Sequence, residues 1–124
     1  MKRKFVFFIK DIIESIESIS TFIDGMVYED FIKDDKTFSA VLRKIEIIGE
    51  ATKNIPVFII EKYTNIPWSN MARIRDKVIH SYFGIDYLTI WNVAKIRFPE
   101  MKPELEKILE ETKDDKDQQN LFEN

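Results

Sequence analysis

The sequence predicts an all-α fold: an antiparallel bundle of long amphipathic helices with short extra helices between them. Apolar residues return at three- and four-residue steps along several long stretches. No segment alternates apolar with polar residues as a half-buried strand would, and no internal repeat or long linker interrupts the pattern. With 124 residues, 44% of them hydrophobic and ten of them phenylalanine, the chain has material for a single core.

The elements follow in order. Phe5, Phe8, Ile9, Ile12, Ile16, Ile19 and Ile23 form one stripe, with Lys10, Glu14, Glu17 and Ser18 opposite, and Gly25 supplies a left-handed residue to end the helix. A short helix is expected over Tyr28 to Ile32. Phe38, Val41, Leu42, Ile45, Ile48 and Thr52 mark a second long helix, closed by Asn54 and Pro56. Gly49 lies inside it, where glycine costs roughly 1 kcal/mol relative to alanine, so a close backbone approach is expected there. Pro56 suits the first turn of a helix through Val57, Ile59, Ile60 and Tyr63.

Thr64 to Pro67 reads as a turn, and Trp68 opens a helix that Gly84 ends. Asp86 caps the next, with Leu88, Trp91, Val93 and Ile96 expected to face inward. Pro99 and Pro103 are expected to kink or segment the final helix. The organisation predicted is one helical domain over residues 1–112 and a charged, frayed tail over 113–124. Trp68 and Trp91 are expected in the core, the usual place for tryptophan in a helical bundle.

Composition excludes several chemistries. The absence of cysteine removes disulfides, thiolate nucleophiles and cysteine–zinc sites, and a single histidine removes a histidine-rich metal site. Composition leaves a carboxylate site for magnesium open, but no metal and no cofactor are expected. Lys2, Arg3 and Lys4 precede an apolar run from Phe5 to Ile9, but Lys10, Asp11 and Glu14 interrupt it too early for a leader or a membrane span. A soluble, cytoplasmic protein is the expectation.

Net charge is −3, unevenly spread. Residues 100–124 hold nine acids and four bases, a net of −5, which leaves +2 on residues 1–99. Between Asn70 and Phe98, Arg73, Arg75, Lys77, Lys95 and Arg97 outnumber Asp76 and Asp86. A local basic patch permits contact with RNA, without the broad footprint of a non-specific binder.

Within that patch stands the one histidine, His80, five residues after Arg75. A histidine titrates near neutrality and moves protons, whereas an arginine is a permanent cation shaped to hold a phosphate. Cutting RNA without a metal needs both: the 2′-hydroxyl must lose a proton, and the phosphate must be held while its charge rises. On an ideal helix the two positions lie about 140° apart, so they do not share a face. Arg73 and His80, and likewise Arg75 and Tyr82, are seven-residue steps on nearly one line. Taken by residue type alone, His80 reads first as a helix-end histidine interacting with the carbonyl dipole or with Asp76. Arg75 is equally one half of a surface ion pair, with Glu46 or Glu50 supplying the carboxylate.

The stretch from Met71 through Arg75, His80, Ser81 and Tyr82 to Gly84 resembles the signature of the HEPN superfamily, arginine then four to six residues then histidine. The tyrosine two places after the histidine is similar to that of HepT-like toxins. Arg43 to Ala51, with Gly49-Glu50-Ala51 at its end, then Ile66-Pro67-Trp68, then Tyr82-Phe83-Gly84 with Ile90-Trp91, fall in the order that family shows. Asp76 departs from the asparagine of many HEPN sequences, though the HepT-like branch tolerates aspartate.

The resemblance implies a HEPN-like bundle and a metal-independent endoribonuclease toxin with Arg75 and His80 as its catalytic pair. Arg73 and Lys77 would support RNA binding, and Asp76 is left to orient His80, neutralise Arg75 or merely face water. It further implies a homodimer with two arginine–histidine motifs in one cleft. The implied partner is a minimal nucleotidyltransferase antitoxin that modifies Tyr82. The alternative is a non-catalytic scaffold subunit of that transferase complex. An intact arginine–histidine pair argues against it.

Overall fold

A computed structural model describes the backbone of residues 4–80 and 86–123 and the side chains of 4–77 and 86–112. It is all-α among those residues, as expected. Helix α1 spans Phe5–Phe22 and buries Phe5, Ile9, Ile12, Ile16 and Ile19 along one stripe. Gly25 takes the turn that follows at φ +75°, a conformation that only glycine adopts without strain. Helix α2, Tyr28–Phe31, is a single turn that drives Phe31 into the core against Phe38 and Trp91, at centroid separations of 5.4 and 5.2 Å.

Helix α3 spans Asp35–Thr52. Its start lies three residues before the first apolar marker because Asp34 caps it, accepting from the Thr37 amide at 3.0 Å and the Thr37 hydroxyl at 2.7 Å. The Thr37 amide bond above all, then the hydroxyl bond, holds the Asp34 carboxyl below the usual carboxylate range. Helix α4 is Val57–Lys62, with Pro56 as the extended residue before it rather than inside its first turn. Helix α5, Trp68–His80, opens at the expected tryptophan, whose indole N–H donates to the Tyr63 carbonyl at 2.9 Å. Gly84, expected to end it, lies outside the described residues.

Helix α6, Tyr87–Asn92, is capped as expected by Asp86, which accepts from the Thr89 hydroxyl and amide at 2.7 and 3.1 Å. A π-helical turn over Val93–Arg97 then leads into helix α7, Phe98–Glu123. Two expectations need correction here. The break falls ahead of Pro99 rather than at the prolines, and α7 continues through Pro103. Pro99 has no N–H to offer the Lys95 carbonyl, and its ring would press on that carbonyl in an α-helix. The wider turn relieves this, and the Phe98 amide donates instead to Val93, five residues back. Across the wider turn the register moves, so that Ala94 and Phe98 face the core while Ile96 is 49% exposed and Val93 only half-buried. Ahead of it, in regular α6, Ile90 and Trp91 are buried and Leu88, against expectation, is 51% exposed.

Helices α1 and α3 run antiparallel at the centre. Phe5 at the start of α1 meets Phe58, just beyond the end of α3, ring edge to face at 5.6 Å. Helix α5 packs on α3, and α7 packs on α1, where Lys102 reaches Glu17 at 3.2 Å. Both tryptophans are buried in one core. No helix among the described residues is long and apolar enough to cross a membrane.

Candidate active site

The site grows from the contact between α3 and α5. Gly49 is buried at that crossing, and a Cβ built on it would stand 2.5 Å from the Cβ of Arg75. The glycine that looked out of place in a helix is therefore the point where α5 presses Arg75 against α3. Ala51 and Thr52 continue the buried face, and the Thr52 hydroxyl donates to the Ile48 carbonyl at 2.7 Å.

From that anchor the Arg75 side chain, 34% exposed, reaches two carboxylates. Its Nε lies 3.4 Å from Glu50 Oε2 and its NH1 3.5 Å from Asp76 Oδ1. Asp76 Oδ1 also accepts from Lys53 Nζ at 3.3 Å. Arg75 thus belongs to an alternating chain of charges, Glu50–Arg75–Asp76–Lys53, tying the C-terminal turns of α3 to the middle of α5. Of the two carboxylates proposed for Arg75 from sequence, Glu50 is the partner, while Glu46 pairs with Arg43 at 3.4 Å. Asp76 stands between Arg75 NH1 and Lys53 Nζ rather than merely facing water. Lys53 was not singled out from sequence; its place one turn beyond Gly49, on the same face of α3, was the available signal.

Arg75 borders a groove of about 330 Å³ between α1 and α3, whose lining includes Phe8, Asp11, Glu46, Glu50 and Asn54. A second groove of about 620 Å³ lies on another side of α5. Asn70, Arg73, Ile74, Asp76 and Lys77 line it with Thr89 of α6 and Val93 of the π turn. Arg73 NH2 donates to Asn70 Oδ1 at 2.9 Å, and neither Arg73 nor Lys77 has an acidic partner among the described residues. Arg73 and Lys77 each sit two positions from Arg75, about 200° around the helix, so the motif's cations divide between two grooves.

His80 is the last residue of α5, and its backbone position falls in line with Arg73; its side chain is outside the described residues. Tyr82 lies outside them altogether. No group of histidine, aspartate and glutamate able to hold a metal ion occurs among the described residues.

A family model described as ribonuclease HepT-like matches residues 12–108. "Putative RNase MJ1216" of Methanocaldococcus jannaschii is 48% identical over 110 residues, 89% of this chain and 91% of that protein. "Probable ribonuclease HepT" of Thermococcus cleftensis is 46% identical over 108 residues, 87% of this chain and 98% of that protein. No solved structure matches the chain.

Proposed function

Because this chain belongs to the ribonuclease HepT-like family, we propose that it is a metal-independent endoribonuclease, with Arg75 and His80 as its catalytic pair. The observation that carries this reading is Arg75 itself, a partly exposed side chain pinned at its Cβ and rimming an open groove on the helix that ends at His80. In the reaction, His80 takes the proton of the 2′-hydroxyl or gives one to the departing 5′-oxygen. The 2′-oxygen bonds to phosphorus, the bond to the 5′-oxygen breaks, and a 2′,3′-cyclic phosphate remains. Arg75 meets the extra negative charge that forms on the phosphate. Arg73 and Lys77 hold neighbouring parts of the strand from the second groove. Incubation of the purified protein with total RNA in EDTA, with analysis of product ends, tests the reading. Cyclic-phosphate ends are expected, and intact RNA, or cleavage that EDTA abolishes, counts against it.

The division of cations between two sides of α5 favours a two-chain site, in which a partner's α5 supplies what one chain cannot place opposite Arg75. A homodimer with its interface near α5 is therefore expected by light scattering at micromolar concentration. A fully active monomer would contradict it.

We further propose that the protein acts in the cytoplasm as the toxin of a pair, restrained by a nucleotidyltransferase antitoxin that modifies Tyr82. An adenylyl group adds negative charge and bulk, which would repel RNA. Tyr82→Phe should retain the fold and much of the cleavage, yet escape restraint, so that cells making both proteins stay poisoned. Mass spectrometry after incubation with the partner and ATP reads the site directly. Adenylate on another residue, or none with an active partner, overturns the assignment.

A further inference from the structure

We infer that Glu50 is a positioning residue for Arg75, a carboxylate on α3 that fixes the guanidinium by its inner nitrogen and leaves its outer edge to a phosphate. The inference deepens the ribonuclease reading and rests on it for its kinetic consequences. An arginine side chain has many rotamers and loses much freedom when held in one. Here the first atom is set by the Gly49 contact and the Nε by Glu50 Oε2 at 3.4 Å, so both ends of the stem are defined from α3.

The two carboxylates beside Arg75 are not equivalent. Asp76 Oδ1 is shared between Arg75 NH1 at 3.5 Å and Lys53 Nζ at 3.3 Å. Glu50 pairs with no other cation among the described residues. A phosphate arriving at the terminal nitrogens displaces Asp76, whose charge Lys53 retains, while Glu50 keeps its grip on Nε. The guanidinium then presents its planar two-donor edge outward. Glu50 is 62% exposed, so its removal leaves the fold intact.

Glu50→Ala is expected to lower kcat about tenfold through lost orientation, with KM unchanged or lower because a negative charge has left the phosphate's approach. Its melting temperature should match wild type. Glu50→Gln should recover most of the rate, since the amide keeps a polar oxygen at the same reach from Nε. In NMR spectra of the free protein, the Arg75 Nε–H resonance should be sharp in wild type and in Glu50→Gln, and broadened in Glu50→Ala. A wild-type kcat in Glu50→Ala overturns the inference. So does a glutamine variant as slow as the alanine one, which would assign the effect to charge rather than position. Should the wild-type protein cut no RNA, the ribonuclease reading falls. The Nε–H resonance then decides the pairing alone, and an unchanged signal in Glu50→Ala removes it.

Discussion

His80→Ala and Arg75→Ala are each expected to lower RNA cleavage by ~10² to 10⁴, enough to look inactive in an ordinary gel assay. The two losses have different origins. Without His80 no other histidine in the chain can carry the proton at neutral pH. Without Arg75 the phosphate loses the cation that opposes its rising charge, and Arg73 and Lys77 line the other groove, too far round α5 to replace it. Arg75→Lys should also be impaired, because an ammonium has one nitrogen where Glu50 and a phosphate require two edges. Single-turnover rates with and without EDTA measure all three. Cleavage at the wild-type rate by His80→Ala would place the chemistry elsewhere.

Gly49→Ala is expected to damage stability and rate together. The added methyl group would stand 2.5 Å from the Arg75 Cβ, an atom that cannot swing aside because it is fixed to the α5 backbone. Overpacking of this kind costs about 1–3 kcal/mol, offset in part by the roughly 1 kcal/mol that alanine gains over glycine inside a helix. The clash should win, lowering the melting temperature by several degrees. Relief of the clash must part α3 from α5 at Arg75, and an ångström of displacement at a reacting group can cost ~10²-fold in rate. Gly25→Ala is the control. It strains a φ of +75° with nothing within 4 Å, so stability should fall while the rate per folded molecule holds. Equal rates for Gly49→Ala and Gly25→Ala would show that the crossing does not set the site.

Most of the fold was legible because local and global signals agreed. The isoleucine ladder of α1, the cap at Asp86 and the start at Trp68 all depend on neighbours in sequence. Gly49 was legible as an anomaly, an expensive residue in a helix that needed a reason. The exposure of Ile96 was not legible, because ordinary helical periodicity assumes a turn that Pro99 does not allow. At the site, Arg75 could be named from sequence, and Glu50 was one of two candidate partners. Choosing Glu50, and bringing Lys53 to Asp76, depended on how closely α3 and α5 approach, a distance that no spacing along one helix encodes.

The pairing of Arg75 with Glu50 and Asp76 also bears on what draws RNA to the protein. A cation gains affinity for a polyanion largely by releasing the small ions condensed around it, and a cation already matched by carboxylates releases few. On the ribonuclease reading, Arg75 adds little to that entropic pull, which is left to Arg73 and Lys77 on another side of the same helix. Capture and chemistry then belong to different side chains. A strand held mainly by two solvent-facing cations is held loosely, and a cut strand held loosely departs and frees the enzyme for the next one.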